Sequence, residues 1–183
     1  MPDTATLPLA GTWNVDPAHT DVGFAVRHMG LATVRGTFET VSGTVRTGDD
    51  GTPTQARIEI DTASITTGTQ DRDDHLRSGD FFDAETNPKI VFELDRAEPG
   101  RGGRTIVHGD LTMAGVTRPV ELEAELGDPI TDPWGLTRRA ATVSGKIDRK
   151  EWGLTWNQVL EAGSLMVSEG VRISIDVQVT LDA

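Results

Sequence analysis

VRISIDVQVTL, residues 171–181, is the stretch that decides the fold. Val171, Ile173, Ile175, Val177, Val179 and Leu181 fall on one side of an extended chain. Arg172, Ser174, Asp176, Gln178 and Thr180 fall on the other. Successive side chains of a strand point to opposite faces, so this period of two predicts a strand with one buried and one solvated face. Working outward, the same alternation recurs. Val120, Leu122, Ala124 and Leu126 alternate with Glu121, Glu123 and Glu125. Ile58 and Ile60 alternate with Arg57, Glu59 and Asp61, and Ile90, Phe92 and Leu94 with Val91, Glu93 and Asp95. Val22, Phe24, Val26 and His28 share a face opposite Asp21, Gly23, Ala25 and Arg27, and Trp13 pairs with Val15 at the start. Weaker runs cover Val34 to Arg46, Arg104 to Met113 and Ala140 to Asp148.

Turn signals separate these runs at Asp49-Asp50-Gly51, Pro99-Gly100, Gly102-Gly103, Ala114-Gly115 and Asp128-Pro129. They predict roughly eight to ten antiparallel strands joined as a meander. A sandwich and an up-and-down barrel both fit. Closure hides the edge strands, which favours the barrel. The expectation is therefore an all-β, extended antiparallel up-and-down barrel. It forms one domain over residues 1–183, with residues 1–10 as a flexible N-terminal extension.

One segment breaks the alternation: TGTQDRDDHLRSGDFFDAETNP, residues 67–88. A helix start at Thr69 or Asp71, acidic residues in the first turn, Arg77 late and Gly79 as a stop predict a short polar helix. Two adjacent aromatics, Phe81 and Phe82, precede a turn at Asn87-Pro88. A helical insert around residues 70–85 with an apolar pair behind it reads as a plug or lid over an opening.

Composition removes several function classes. The chain has 183 residues, 36% hydrophobic and 25% charged, as expected of a soluble globular protein. Seventeen basic and 29 acidic residues leave a net charge of −12, which disfavours nucleic acid and anionic bilayers as partners. No Cys is present, so disulfides and thiolate chemistry are excluded. The N-terminus, MPDTATLPLAG, has no basic region followed by an apolar run, and no stretch approaches a membrane span. Cytoplasmic localisation without stable membrane insertion is the expectation.

Chemistry-bearing constellations are sparse. The four histidines, His19, His28, His75 and His108, have no metal-ligand spacing. Asp71, Asp73 and Asp74 lack the Gly and the distant Glu of a calcium loop. No G-x-S-x-G motif exists, and Ser78, His75 and Asp80 are sequence neighbours on a polar helix. Gly100, Gly102 and Gly103 lack the strand–loop–helix setting of a phosphate loop. Neither a catalytic residue, a metal nor a cofactor is expected. Apart from His28, the clear inward faces are hydrocarbon, which suits either a packed core or a lipid-filled cavity. Trp134, Trp152 and Trp156 suit either the rim of an apolar opening or a closing core layer.

Four stretches carry a resemblance. They are WNVDPAHTDVGFAVRHMGLATVRGTF (residues 13–38), HLRSGDFFD with Asn87-Pro88, GDLTMAGVTRPVELE (residues 109–123) and RKEWGLTWN (residues 149–157). Together, in this order, they resemble the YceI-like family of lipid-binding proteins over about Gly11 to Leu181. The resemblance implies a lipocalin-like barrel whose apolar tunnel holds a polyisoprenoid, an isoprenoid quinone or a similar long-chain amphiphile. It implies a binder or carrier, often dimeric and in many relatives periplasmic, and not an enzyme. The tunnel is then expected from Trp13, Phe24, Val26, Phe38, Ile58, Ile60, Phe81, Phe82, Phe92, Leu111, Met113, Val120, Leu122, Trp152, Trp156, Ile173, Ile175 and Val177. Head-group candidates are His19, Arg27, His28, Arg72, His75 and Arg77. Two other readings stay open: a lipid-modifying enzyme using His28 or His75, and a stress-related barrel acting through a protein partner.

Overall fold

A computed structural model describes residues 7–161 and 163–182. In chain order the elements are β1 (Gly11–Val15), β2 (Asp21–His28), β3 (Ala32–Phe38), β4 (Val41–Thr47), β5 (Pro53–Asp61), β6 (Ile65–Thr66), α1 (Gln70–Arg77), β7 (Lys89–Pro99), β8 (Thr105–Met113), β9 (Val116–Leu126), β10 (Ile130–Thr131), β11 (Thr137–Asp148) and β12 (Gly170–Leu181). Residues 1–6 of the expected N-terminal extension lie outside the described residues. The Leu9 carbonyl already accepts the Thr47 hydroxyl at 2.6 Å.

Every pairing is antiparallel, and the pairings close a ring: β1, β4, β5, β7, β8, β9, β11, β12 and back to β1. Eight strands joined in sequence order make the up-and-down barrel that the alternation predicts. Closure gives each of these eight strands a partner on both sides over part of its length. The ring is extended at one end. β12 shares one edge between two strands, pairing Val179–Leu181 with β1 and Arg172–Asp176 with β2. The 3-10 turn Pro17–His19 breaks what would otherwise be one long strand. Residues Glu39 and Thr40 break β3 from β4, and Thr62–Ser64 breaks β5 from β6. Thus β2, β3 and β6 continue one wall upward.

That wall ends on β6, whose pairing is to β3. The helical insert covers the gap. Gln70–Arg77 is helical, within a residue of the start expected at Thr69 or Asp71. Asp71 and Asp73 occupy the first turn and His75 and Arg77 the last, in the sense that the helix dipole favours. Arg77 ties the helix to the wall by donating to the carbonyls of Ala63 (2.8 Å) and Ile65 (2.7 Å). Buried Asp73 accepts the Thr67 amide at 2.8 Å, its hydroxyl at 2.5 Å and the Thr66 hydroxyl at 3.3 Å. A left-handed Asp83 (φ 46°) then turns the chain beyond the Phe pair.

Candidate functional site

The barrel encloses a cavity of about 490 Å³. It is lined from Thr47, Pro53 and Arg139 at one end to His75, Arg149 and Trp156 at the other. The inward parity of each strand builds the wall. Trp13, Phe24, Val26, Phe38, Ile58, Ile60, Phe81, Phe82, Phe92, Leu111, Met113, Val120, Leu122, Trp156, Ile173, Ile175 and Val177 all line it. β11 contributes Ala141, Val143 and Ile147 from the same parity. Periodicity leaves a packed core and a cavity equally open; the structure has a cavity. Two glycines make room for the large rings. A Cβ at Gly36 would collide with the ring of Phe24, its cross-strand partner, and one at Gly109 with the ring of Phe92.

The two insert phenylalanines diverge. Phe82 packs edge-on against Phe38 at 5.9 Å between centroids, and Phe38 in turn meets Phe24 at 5.7 Å. Phe81 reaches the other wall, 5.2 Å from His75 and 5.4 Å from Trp156. The pair therefore bridges the mouth between β3 and the stretch after β11.

Four expected site residues lie elsewhere. Trp152 is buried but does not line the cavity. The 3-10 turn Arg149–Trp152 swings its indole onto β8, where it donates to the Leu111 carbonyl at 2.9 Å. His19 sits outside the barrel, 2.9 Å from Asp16, and lines a separate outer cleft of about 280 Å³. Its strand break turns it outward and into the Asp16–Arg138–Asp132 ion network. Arg27 follows the outward parity of β2 and bonds the Gly30 carbonyl at 2.8 Å. Arg77 is spent on carbonyls below the helix. By contrast His28, Arg72 and His75 do line the cavity.

Two further lining residues escaped the sequence reading: Arg139 and Arg149. Both continue the inward parity of β11, and that register was the signal available. Arg149 is only 4% exposed. Its guanidinium donates to four neutral carbonyls: Leu154 (2.5 Å), Trp156 (3.0 Å), Ser168 (3.0 Å) and Val167 (3.4 Å). It also lies 6.0 Å from the centroid of Phe81. Burial pushes its pKa down from the ordinary arginine value, with Glu169 and Asp148 opposing, yet an arginine remains protonated in a protein. At the opposite end Arg139 donates to the carbonyls of Gly127 (2.7 Å) and Gly51 (2.8 Å), and burial lowers it likewise against Asp128. Among the described residues, no Asp or Glu lines the cavity.

Chemically, this is a site for burying hydrocarbon with a cation at each end. His75 faces Asp80 at 2.9 Å, but Asp80 is exposed and not part of the lining. The Ser78 hydroxyl donates to the His75 carbonyl at 2.7 Å, so these three neighbours do not form a triad. Among the described residues no cluster of three or more His, Asp or Glu could hold a metal, and no helix is long and apolar enough to cross a membrane.

Comparison with known proteins places the chain in company. A family model described as "YceI-like domain" matches residues 13–179. The UPF0312 protein plu2095 of Photorhabdus laumondii is 36% identical over 175 residues, covering 92% of this chain and 90% of that one. The crystal structure of the YceI protein of Campylobacter jejuni superposes with a TM-score of 0.73 at 29% identity, covering 92% of this chain and 96% of its own. A polyisoprenoid-binding domain from Saccharophagus degradans, implicated in plant cell wall breakdown, gives 0.71 at 16% identity, with 94% and 99% coverage. That last likeness is one of fold.

Proposed function

The chain belongs to the YceI-like family, and from that premise we propose that it is a lipid-binding protein that sequesters or carries a polyisoprenoid, an isoprenoid quinone or a similar long-chain amphiphile. The observation that carries this reading is the cavity of about 490 Å³, walled almost wholly by Val, Ile, Leu, Phe, Ala and Trp. Each methylene moved from water into such a wall gains about 0.8 kcal/mol, so a long chain binds by burial alone. The Saccharophagus degradans neighbour is a polyisoprenoid-binding domain, which supports the choice of isoprenoids as the first ligands to try. The role is passive: inward side chains desolvate the tail, and the Phe81-Phe82 segment with Trp156 closes one end. At the mouth His75 pairs with the exposed Asp80, which does not itself line the cavity.

Organic extraction of the protein purified from its native source, followed by mass spectrometry, tests this. A stoichiometric long-chain lipid is expected. Repeated recovery of none, with no uptake of added isoprenoid, overturns the reading.

A further inference from the structure

Acidic residues outnumber basic ones 29 to 17 in this chain, yet the charged side chains of the cavity wall all belong to arginines: Arg72, Arg139 and Arg149. A cavity built only for neutral hydrocarbon has no use for such a bias. Removing a charge from water is costly unless it is paired and hydrogen-bonded. Arg149 is buried and touches neutral carbonyls only. Nearby Glu169 is engaged by Lys150 at 2.8 Å. Those carbonyls take four of its five N–H donors, and the second proton of Nη2 has no protein partner among the described residues.

Arg149 does not stand alone at that end. Phe81 links it to Trp156, and His75 packs edge-on against both rings. Arg72 lies one helical turn before His75. Asp73, between them, is consumed by Thr66 and Thr67. The Arg72 guanidinium, bonded to the Thr67 hydroxyl (2.7 Å) and carbonyl (3.1 Å) and to the Thr69 hydroxyl (3.1 Å), also lines the apolar chamber, and among the described residues no carboxylate does.

We infer that the ligand is an anionic amphiphile, its carboxylate or phosphate head held at this mouth by Arg149 with Arg72, and its tail in the barrel. The inference rests on the lipid-binding reading and narrows its ligand class. Glu169 and Asp148 act on Arg149 through charge alone, and the ligand head supplies the direct ion pair that neither of them makes. The remaining Nη2 proton of Arg149 can donate to an oxygen of either head. A third cation, Arg139, lies on the inward face of β11, ten positions before Arg149 and roughly 33 Å from it by strand rise. It is too remote to share one head, so the two ends of the cavity are chemically distinct from the middle.

The test uses delipidated protein and matched probes that differ only in the head: oleate against oleyl alcohol, and geranylgeranyl phosphate against geranylgeraniol. Charge-assisted hydrogen bonds made out of water favour the anion by on the order of tenfold or more in dissociation constant. Preference in one pair and not the other identifies carboxylate or phosphate as the head. Equal or weaker binding of both anions overturns the inference while leaving lipid binding intact. Failure of all four probes to bind overturns both. Arg149→Met should erase the preference and Arg149→Lys should restore part of it. Because Arg149 also holds the loop after β11, Arg72→Gln on the exposed helix serves as the second variant, with a smaller loss of preference expected. An undiminished preference in both the Arg149→Met and Arg72→Gln proteins would show that Arg149 is only a loop latch.

Discussion

Asp73 offers the sharpest test of how the mouth is held. The carboxylate is 5% exposed and accepts three hydrogen bonds: from the Thr67 amide (2.8 Å), the Thr67 hydroxyl (2.5 Å) and the Thr66 hydroxyl (3.3 Å). Burial alone would raise its pKa. The Thr67 hydroxyl and amide, the Thr66 hydroxyl and the Arg77 charge outweigh burial and hold it below the ordinary 3.8. Asp73→Asn keeps the shape and one acceptor but removes the charge. Bonds to a charged acceptor contribute about 1.5–3 kcal/mol each and neutral ones about 1, so weakening all three costs about 1.5–6 kcal/mol. For a chain of this size that lowers Tm by at least about 3 °C at neutral pH. The pH dependence follows from the lowered folded value. A depressed carboxyl stabilises the fold above its unfolded pKa, near 4, and that contribution is lost as pH falls through the folded pKa. The gap in Tm between parent and variant should therefore hold from neutrality down to the unfolded value, near 4, and narrow as pH falls through the folded one. Asp16 and Asp132, also held below 3.8 by Arg138, lose their contributions in the same range in both proteins, so the difference between the two isolates Asp73. Thermal melts followed by circular dichroism at stepped pH provide the measurement. An Asn variant as stable as the parent at neutral pH, or a gap that persists unchanged in acid, refutes the reasoning.

Two further perturbations address the cavity itself. Phe81→Ala with Phe82→Ala removes the rings that span from Phe38 to Trp156, and should speed release of a fluorescent lipid probe at least several-fold if they close the mouth. Stopped-flow dilution into acceptor vesicles reads it, and a variant with lowered Tm but unchanged release shows that the rings only fill space. Val143→Trp places a large ring on the inward face of β11 and should abolish probe uptake, while Ser144→Trp on the outward face should not. Equal uptake by both variants would mean that the ligand does not enter the barrel.

Much of the architecture was legible before folding. The outward glutamates of β9 and the alternation of β12 place their residues on opposite faces of a sheet whatever the neighbours are. The helix of residues 70–77 is specified locally, by acid in its first turn and base in its last. The head-group candidates fared by parity. His28 keeps the inward register of Val22, Phe24 and Val26 and lines the cavity, whereas Arg27, one residue away, points to the outer face. His19 was out of reach of parity because the 3-10 turn at Pro17 resets it. Trp152 failed for a similar reason, since a 3-10 turn carries it onto the Leu111 carbonyl, 41 residues away in sequence.

What the amino-acid sequence determined by itself is the in-and-out register of the longer strands, the up-and-down barrel class and the single helical interruption. These follow from alternation, turn chemistry and nearest-neighbour propensity, all of them local. The breaks that divide roughly eight to ten expected strands into twelve, such as Glu39–Thr40 within the run Val34 to Arg46, were not legible in it. Only the tertiary structure decided that the barrel is hollow, because an inward Val looks the same in the sequence whether it meets another side chain or an empty space. It alone also decided where the charges stand. Arg149 acquires its meaning from the carbonyls of Leu154, Trp156, Val167 and Ser168, and Arg139 from those of Gly51 and Gly127. Those partners are brought together by ring closure, and no pattern along the chain encodes them.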